Sequence, residues 1–136
     1  MTRQSEVLPP GSYDDTDRRL PYSSYWFAST GFDAAFADSL TYSNQPGAHL
    51  RIRFKGQSIT YGFTKAFNRG MAEIQIDSEP KEVIDLYSPS VEWRSEKRFS
   101  APAEGAHELT IKVLPTKNPL SKDFFVDVDR IVISPE

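Results

Sequence analysis

Five aspartates fall in two places where their spacing gathers oxygen atoms. Asp14, Asp15 and Asp17 lie near the N-terminus, and Asp127 and Asp129 near the C-terminus. Residues two apart on a strand share a face. Asp127 and Asp129 therefore point the same way, and Asp15 and Asp17 repeat the spacing. If the first and last strands are neighbours, Asp15, Asp17, Asp127 and Asp129 bring oxygen ligands from both to a Ca²⁺ ion. The competing expectation carries more weight: Asp14 to Asp17 cap a turn, and Asp127 and Asp129 are solvated or paired with Arg18 or Arg130. The loop pattern of an EF-hand is absent. No cofactor is expected beyond this structural Ca²⁺. The same carboxylates raise the question of glycoside hydrolysis, which needs two carboxyl groups at a set separation across a cleft. The two histidines, His49 and His107, neighbour no serine in a nucleophile elbow and form no zinc-binding helix motif, so they are expected to be surface residues.

A second group of residues suits binding. Sugars present flat apolar ring faces edged by hydroxyls, and a site for them needs an aromatic platform ringed by amide and charged groups. Tyr61, Phe67, Tyr87 and Trp93, with Arg69, Lys117 and Asn118, supply that mixture. The ligand-binding residues expected are Tyr61, Arg69, Tyr87, Trp93, Lys117 and Asn118. Tyr61 is equally suited to the core. Replacing Arg69 with alanine is expected to abolish binding with little loss of stability.

The elements that would position these groups are strands. Ala48-His-Leu50-Arg-Ile52-Arg-Phe54 alternates apolar with polar residues, the pattern of a half-buried antiparallel strand with His49, Arg51 and Arg53 outward. Lys55-Gly56-Gln57 makes a turn and Ile59 to Phe63 alternates again, which predicts a hairpin. Ala72 to Asp77, Glu82 to Tyr87, Trp93 to Ser100, His107 to Val113 and Phe125 to Ile133 read as further strands, and Leu20 to Tyr22 and Ser39 to Tyr42 as short ones. Ser23 to Asp38 reads as a structured loop, with a helical turn over Ala34 to Ala37. About nine short strands predict an all-β, antiparallel β-sandwich of the jelly-roll type, one domain over residues 13–136 after a flexible lead-in, 1–12. If successive strands run antiparallel, the turns at 55–57, 78–80 and 101–106 share one end. The loops 43–47, 64–69, 88–92 and 114–123 then share the other, together with Tyr13 to Asp17. Sites are commonly built on loops gathered at one end of a rigid sandwich.

Composition agrees. The chain has 136 residues, enough for one cored domain. Ten prolines and seven glycines imply many turns. The absence of cysteine excludes disulfides and any Cys-based site. Net charge is −3 with the signs mixed, so the basic footprint of a nucleic-acid binder is missing. No apolar run approaches the ~20 residues of a membrane span. Met1 to Pro10 hold no apolar stretch of a signal peptide, and the chain is expected to be a segment of a larger secreted protein.

In linear order the chain resembles a group of bacterial β-sandwich modules, related to carbohydrate-binding jelly rolls, that are appended to glycoside hydrolases and other extracellular enzymes. The resemblance lies in Tyr13-Asp-Asp-Thr-Asp17, Tyr42-Ser43, Gly47-Ala48, Phe54-Lys-Gly56, Asn68-Arg-Gly70, Ile76-Asp77, Asp85-Leu-Tyr-Ser88, Gly105-Ala-His107, Lys117-Asn118 and Val126-Asp-Val-Asp129, and it spans residues 13–133. It implies a noncatalytic, extracellular accessory module with neighbouring domains as partners. Two features depart from the family pattern: Ser78 stands where glycine is usual, and Ser23 to Asp38 lacks the Gly-rich, Trp-centred form. The expectation is carbohydrate binding without catalysis, and no nucleic-acid or membrane partner. The alternative is a structural or protein-docking module with no small ligand. A small hydrolase ranks third.

Overall fold

The computed structural model describes residues 7–31, 39–103 and 105–135. Eleven strands follow in order: β1 (Gly11–Asp14), β2 (Phe27–Thr30), β3 (Ser39–Ser43), β4 (His49–Lys55), β5 (Ser58–Lys65), β6 (Met71–Ile76), β7 (Glu82–Asp85), β8 (Glu92–Ser100), β9 (Ala106–Val113), β10 (Val126–Val128) and β11 (Arg130–Ser134). Among the described residues there is no helix, and so none long and apolar enough to cross a membrane. All strand pairs are antiparallel. They form two four-stranded sheets, β1-β11-β5-β8 and β4-β9-β6-β7, and a three-stranded sheet, β10-β3-β2.

The alternation read from the sequence sets the layers. Leu50, Ile52 and Phe54 of β4 turn inward and are fully buried, as are Leu109, Ile111 and Val113 of β9. Ile52 lies opposite Leu109 and Leu50 opposite Ile111. From the facing sheet come Ile59 and Tyr61 of β5 and Ile131 and Ile133 of β11, joined by Val126 and Val128 of β10 in one continuous core. Burying each such side chain contributes about 1.5–3 kcal/mol. The result is the expected antiparallel β-sandwich.

Five elements differ from the sequence expectation. Residues 48–63 are not a hairpin, because β4 pairs with β9 while β5 pairs with β11 and β8 in the facing sheet, and Leu20–Tyr22 is no strand but makes only the isolated Tyr22–Leu50 bridge. The other three concern the N-terminal lead-in, β2 and the last strand. Leu8 lies in the stretch expected to be a flexible lead-in, yet it is 1% exposed. Its N–H donates to the Arg53 carbonyl, and its carbonyl accepts from Lys55. Two adjacent apolar residues, Val7 and Leu8, before two prolines carry no periodicity, so nothing in the pattern marks Leu8. β1 likewise begins at Gly11, inside that lead-in. Second, β2 lies within the stretch expected to be a loop. It is an edge strand of largely exposed residues and lacks alternation. The helical turn expected over Ala34–Ala37 lies outside the described residues. Third, the expected strand from Phe125 to Ile133 is two strands in different sheets. The chain switches sheets at Asp129, whose N–H donates to the Gly62 carbonyl at 2.8 Å.

The two-ended arrangement of loops is present. At one end the Ala101 N–H donates to the Gln57 carbonyl at 2.9 Å. There His107 is not a surface histidine: its ring lies 2.6 Å from both an Asp77 carboxylate oxygen and the Ala103 carbonyl. At the other end the 64–69, 86–92 and 114–125 segments bond to one another. The Ala66 and Ser88 N–H groups knit 66 to 86–88, and the Lys122 N–H donates to the Phe67 carbonyl. Gly70 makes the last of these approaches possible. A Cβ there would meet the Phe124 backbone at 2.7 Å, and the Gly70 N–H donates to the Phe125 carbonyl.

Candidate functional site

The loop end presents an apolar surface with polar edges. Phe67 (52% exposed), Trp93 (38%) and Leu120 (70%) are large apolar side chains open to solvent in or next to its segments, and Tyr87, half-buried, bridges Ala66 next to Phe67. Specific bonds hold their loops together. The Asp85 carboxylate accepts from the Tyr87 N–H at 3.0 Å with one oxygen and from the Asn118 amide at 3.2 Å with the other. It thereby ties the 114–123 loop to Tyr87. Ser121 donates its hydroxyl to the Arg69 carbonyl at 2.6 Å, holding the same loop against Phe67 to Arg69. Ser88 donates to the Glu92 carboxylate at 2.7 Å, next to Trp93.

A bulge aims Trp93. Phe63 pairs with Ser95 and Lys65 with Glu92, so Thr64 alone faces both Trp93 and Arg94. Arg94 adopts a left-handed φ of 54°. An inserted residue bends and twists a strand locally, and bulges often redirect a side chain beside a site. Without this one, Trp93 would continue the face that carries Phe99 into the sandwich.

The expected ligand-binding residues separate into two groups. Trp93, Tyr87, Lys117 and Asn118 reach the loop end. Lys117 donates to the Ser121 carbonyl at 3.0 Å and lies 5.7 Å above the Phe124 ring, and its ammonium keeps further donors. Asn118 shapes the loop: its amide holds Asp85, and its side-chain oxygen accepts the Leu120 N–H at 3.0 Å. Tyr61 and Arg69 do not line the surface. Tyr61 is fully buried, donates its hydroxyl to the Asp127 carbonyl at 2.6 Å, and is held well above the usual tyrosine range by burial. Arg69 turns inward. Its Nε donates to an Asp127 carboxylate oxygen at 3.0 Å and its Nη1 to the Asn68 side-chain oxygen at 2.6 Å. An arginine in a loop looks free in a sequence, and only the structure reveals its buried counter-charge. Leu120 and the Asp85 clamp were not anticipated. Leu120 follows a proline in a loop, and Asp85 carries no spacing signal.

The four carboxylates considered for Ca²⁺ do not fit one. β1 does pair with β11, but Asp15, Asp17 and Asp127 turn to hydrogen-bond donors rather than to a shared centre. Asp15 is fully buried and accepts from Ser39 at 2.5 Å and Thr41 at 2.7 Å. Burial pushes its carboxyl up to about 7, against the two hydroxyls that lower it. Asp17 is gripped by Arg19 through Nε at 3.0 Å and Nη2 at 2.8 Å, which lowers its carboxyl. Asp127, fully buried, meets the Thr64 N–H at 2.9 Å besides Arg69. Burial raises its carboxyl, and Arg69 offsets part of that. Asp129 is buried where the chain changes sheets. Among the described residues no three metal-ligating side chains come together. N–H and O–H donors are the complement of an anion, not of a cation.

No sequence-family profile matches the chain, and no curated protein matches it in sequence. Solved structures share the fold. A Paenibacillus xanthan lyase is similar over 95% of this chain and 14% of its own, with a TM-score of 0.70 and 12% identity. A two-domain esterase active on acetylated mannans, co-crystallised with mannopentaose, is similar over 92% of this chain and 36% of its own, with a TM-score of 0.68 and 14% identity. A family 35 carbohydrate binding module from Clostridium thermocellum is similar over 91% of this chain and 98% of its own, with a TM-score of 0.59 and 11% identity. The chain thus spans about a third or less of the two enzymes and nearly the whole of the binding module. Its fold is the antiparallel β-sandwich that it shares with these structures.

Proposed function

We propose that the protein is a noncatalytic carbohydrate-binding module, an accessory domain of a larger extracellular protein, that binds glycans at its loop end. The observation that carries this is the surface where Phe67, Tyr87, Trp93 and Leu120 meet the polar edges of Asn68, Lys117 and Asn118. Sugar rings stack on the aromatic faces and their hydroxyls bond the edges. Its support is a fold shared with a complete binding module and with parts of two enzymes of polysaccharides. Binding rather than hydrolysis is further supported by Asp15 and Asp127, which are fully buried and already bonded to protein. Each sugar contact exchanges with water at little net gain, so affinity at one short site should lie around micromolar to millimolar.

Leu120, at 70% exposure beside Phe67, gives the protein-docking alternative its one specific observation, since an exposed apolar patch also suits a neighbouring domain. A panel of soluble polysaccharides in affinity electrophoresis tests the first reading. Retardation by one polysaccharide class supports it. Unretarded migration through every gel, with the protein folded, transfers the surface to the docking reading.

A further inference from the structure

A second concavity is built by the segment after β1 together with β2 and β3. It has a volume of about 330 Å³, and its lining includes Asp15, Asp17, Arg18, Tyr22, Trp26 and Thr41. None of its residues belongs to the 64–69, 88–93 or 114–123 segments. The volume is at the small end of the ~300–1,000 Å³ of ligand pockets, room for one sugar-sized molecule rather than a chain.

Three features distinguish it from an ordinary surface dip. Trp26 and Tyr22 form a joined aromatic wall, their ring centroids 5.1 Å apart at 52°, and Tyr22 is fixed by donating its hydroxyl to the Asp15 carbonyl at 2.8 Å. The indole N–H of Trp26 is buried and has no hydrogen-bond partner among the described residues, and neither has the Oδ1 atom of the adjoining Asp14. Finally, Arg18 is exposed, lines the cavity and makes no ion pair or hydrogen bond among the described residues.

The charges select the ligand. Asp15 and Asp17 line the cavity and Asp14 adjoins it, so an anion would meet carboxylates. Arg18 opposes a cation. A neutral polyol satisfies both, because each hydroxyl donates to a carboxylate oxygen and accepts from an N–H. The apolar faces of Trp26 and Leu20 match the C–H face of a sugar ring.

We propose that this cavity is a second binding site, for a neutral monosaccharide-sized polyhydroxylated ligand stacked on Trp26 and bonded by Arg18 and the Asp17 carboxylate. It goes beyond the loop-end reading and shares no residue with it.

The two tryptophans of the chain, Trp26 and Trp93, separate the sites. The Trp93→Phe variant leaves Trp26 as the only tryptophan, and Trp26→Phe leaves Trp93. Each is titrated with glucose, galactose, mannose and xylose, and with their oligosaccharides, while tryptophan emission is followed. A saturable change in Trp26 emission with a monosaccharide, weakened on the order of tenfold by Arg18→Ala, is the expected result. Arg18 is exposed, so its removal leaves the fold intact. A flat Trp26 response to every sugar, or a response that Arg18→Ala leaves unchanged, overturns the second site, whatever Trp93 reports. A silent Trp93 beside a responsive Trp26 overturns only the loop-end reading.

Discussion

Two fully buried carboxylates hold two regions of this sandwich by opposite means. Asp127, under the loop end, faces a cation: Arg69 at 3.0 Å and the Thr64 N–H at 2.9 Å. Asp15, beside the Trp26 cavity, faces only hydroxyls, Ser39 and Thr41, with Asp14 next to it. Burial raises both carboxyls, yet only Asp127 has a counter-charge that offsets part of the rise. The first region is held by a buried ion pair. The second is a proton-dependent joint between the end of β1 and β3.

The largest break in that comparison is Arg69→Met. It keeps the side-chain volume but strands Asp127, and a buried charge left alone costs about 3–5 kcal/mol. Denaturant unfolding should show a loss of that size, with sugar binding weakened through disorder of the 66–70 segment. The sequence-based expectation was the reverse, binding lost at constant stability. Stability within about 1 kcal/mol of wild type would contradict that role of the ion pair.

Next in size is the pH response of Asp15. Its folded carboxyl titrates at about 7, above the ordinary 3.8, so the folded state holds a proton that the unfolded state releases. The stability this contributes is fully present below about pH 4 and is lost as pH rises through 7. Between pH 5 and 8 the wild type should lose about 2–3 kcal/mol that Asp15→Asn does not lose. Parallel stability curves for the two proteins would contradict the assignment. The smallest effect is Thr41→Val, which removes one hydroxyl from Asp15 and should cost about 1 kcal/mol. Its cost should grow above pH 7, where Asp15 is ionised and needs donors most. A cost independent of pH would show that Thr41 is packing alone.

Much of the fold was legible because alternation reports burial directly. Leu50, Ile52 and Phe54, and Leu109, Ile111 and Val113, follow it without a break. β2 escaped because an edge strand exposed on both faces has no alternation to read. The switch of sheets at Asp129 was legible, though read as one strand: the inward residues Val126 and Val128 are even-numbered, while Ile131 and Ile133 are odd. A change of parity without a turn residue marks a break in a strand. The loop end followed from strand parity, which needs only that successive strands reverse direction; β4 and β5 do so across the two sheets rather than as the expected hairpin. The roles of its residues were not legible, since an arginine that meets buried Asp127 and a lysine at the surface look alike in a loop. The bulge that aims Trp93 depends on pairing register, which one strand's sequence does not contain.

The most direct test of the central claim is calorimetric titration of the best-retained polysaccharide into wild type and Trp93→Ala, with melting temperature followed in parallel. Sugar binding at the loop end predicts a loss of affinity of about tenfold or more, ~1.4 kcal/mol, at unchanged melting temperature. Equal affinity for the two proteins would contradict it and place the glycan elsewhere on the sandwich.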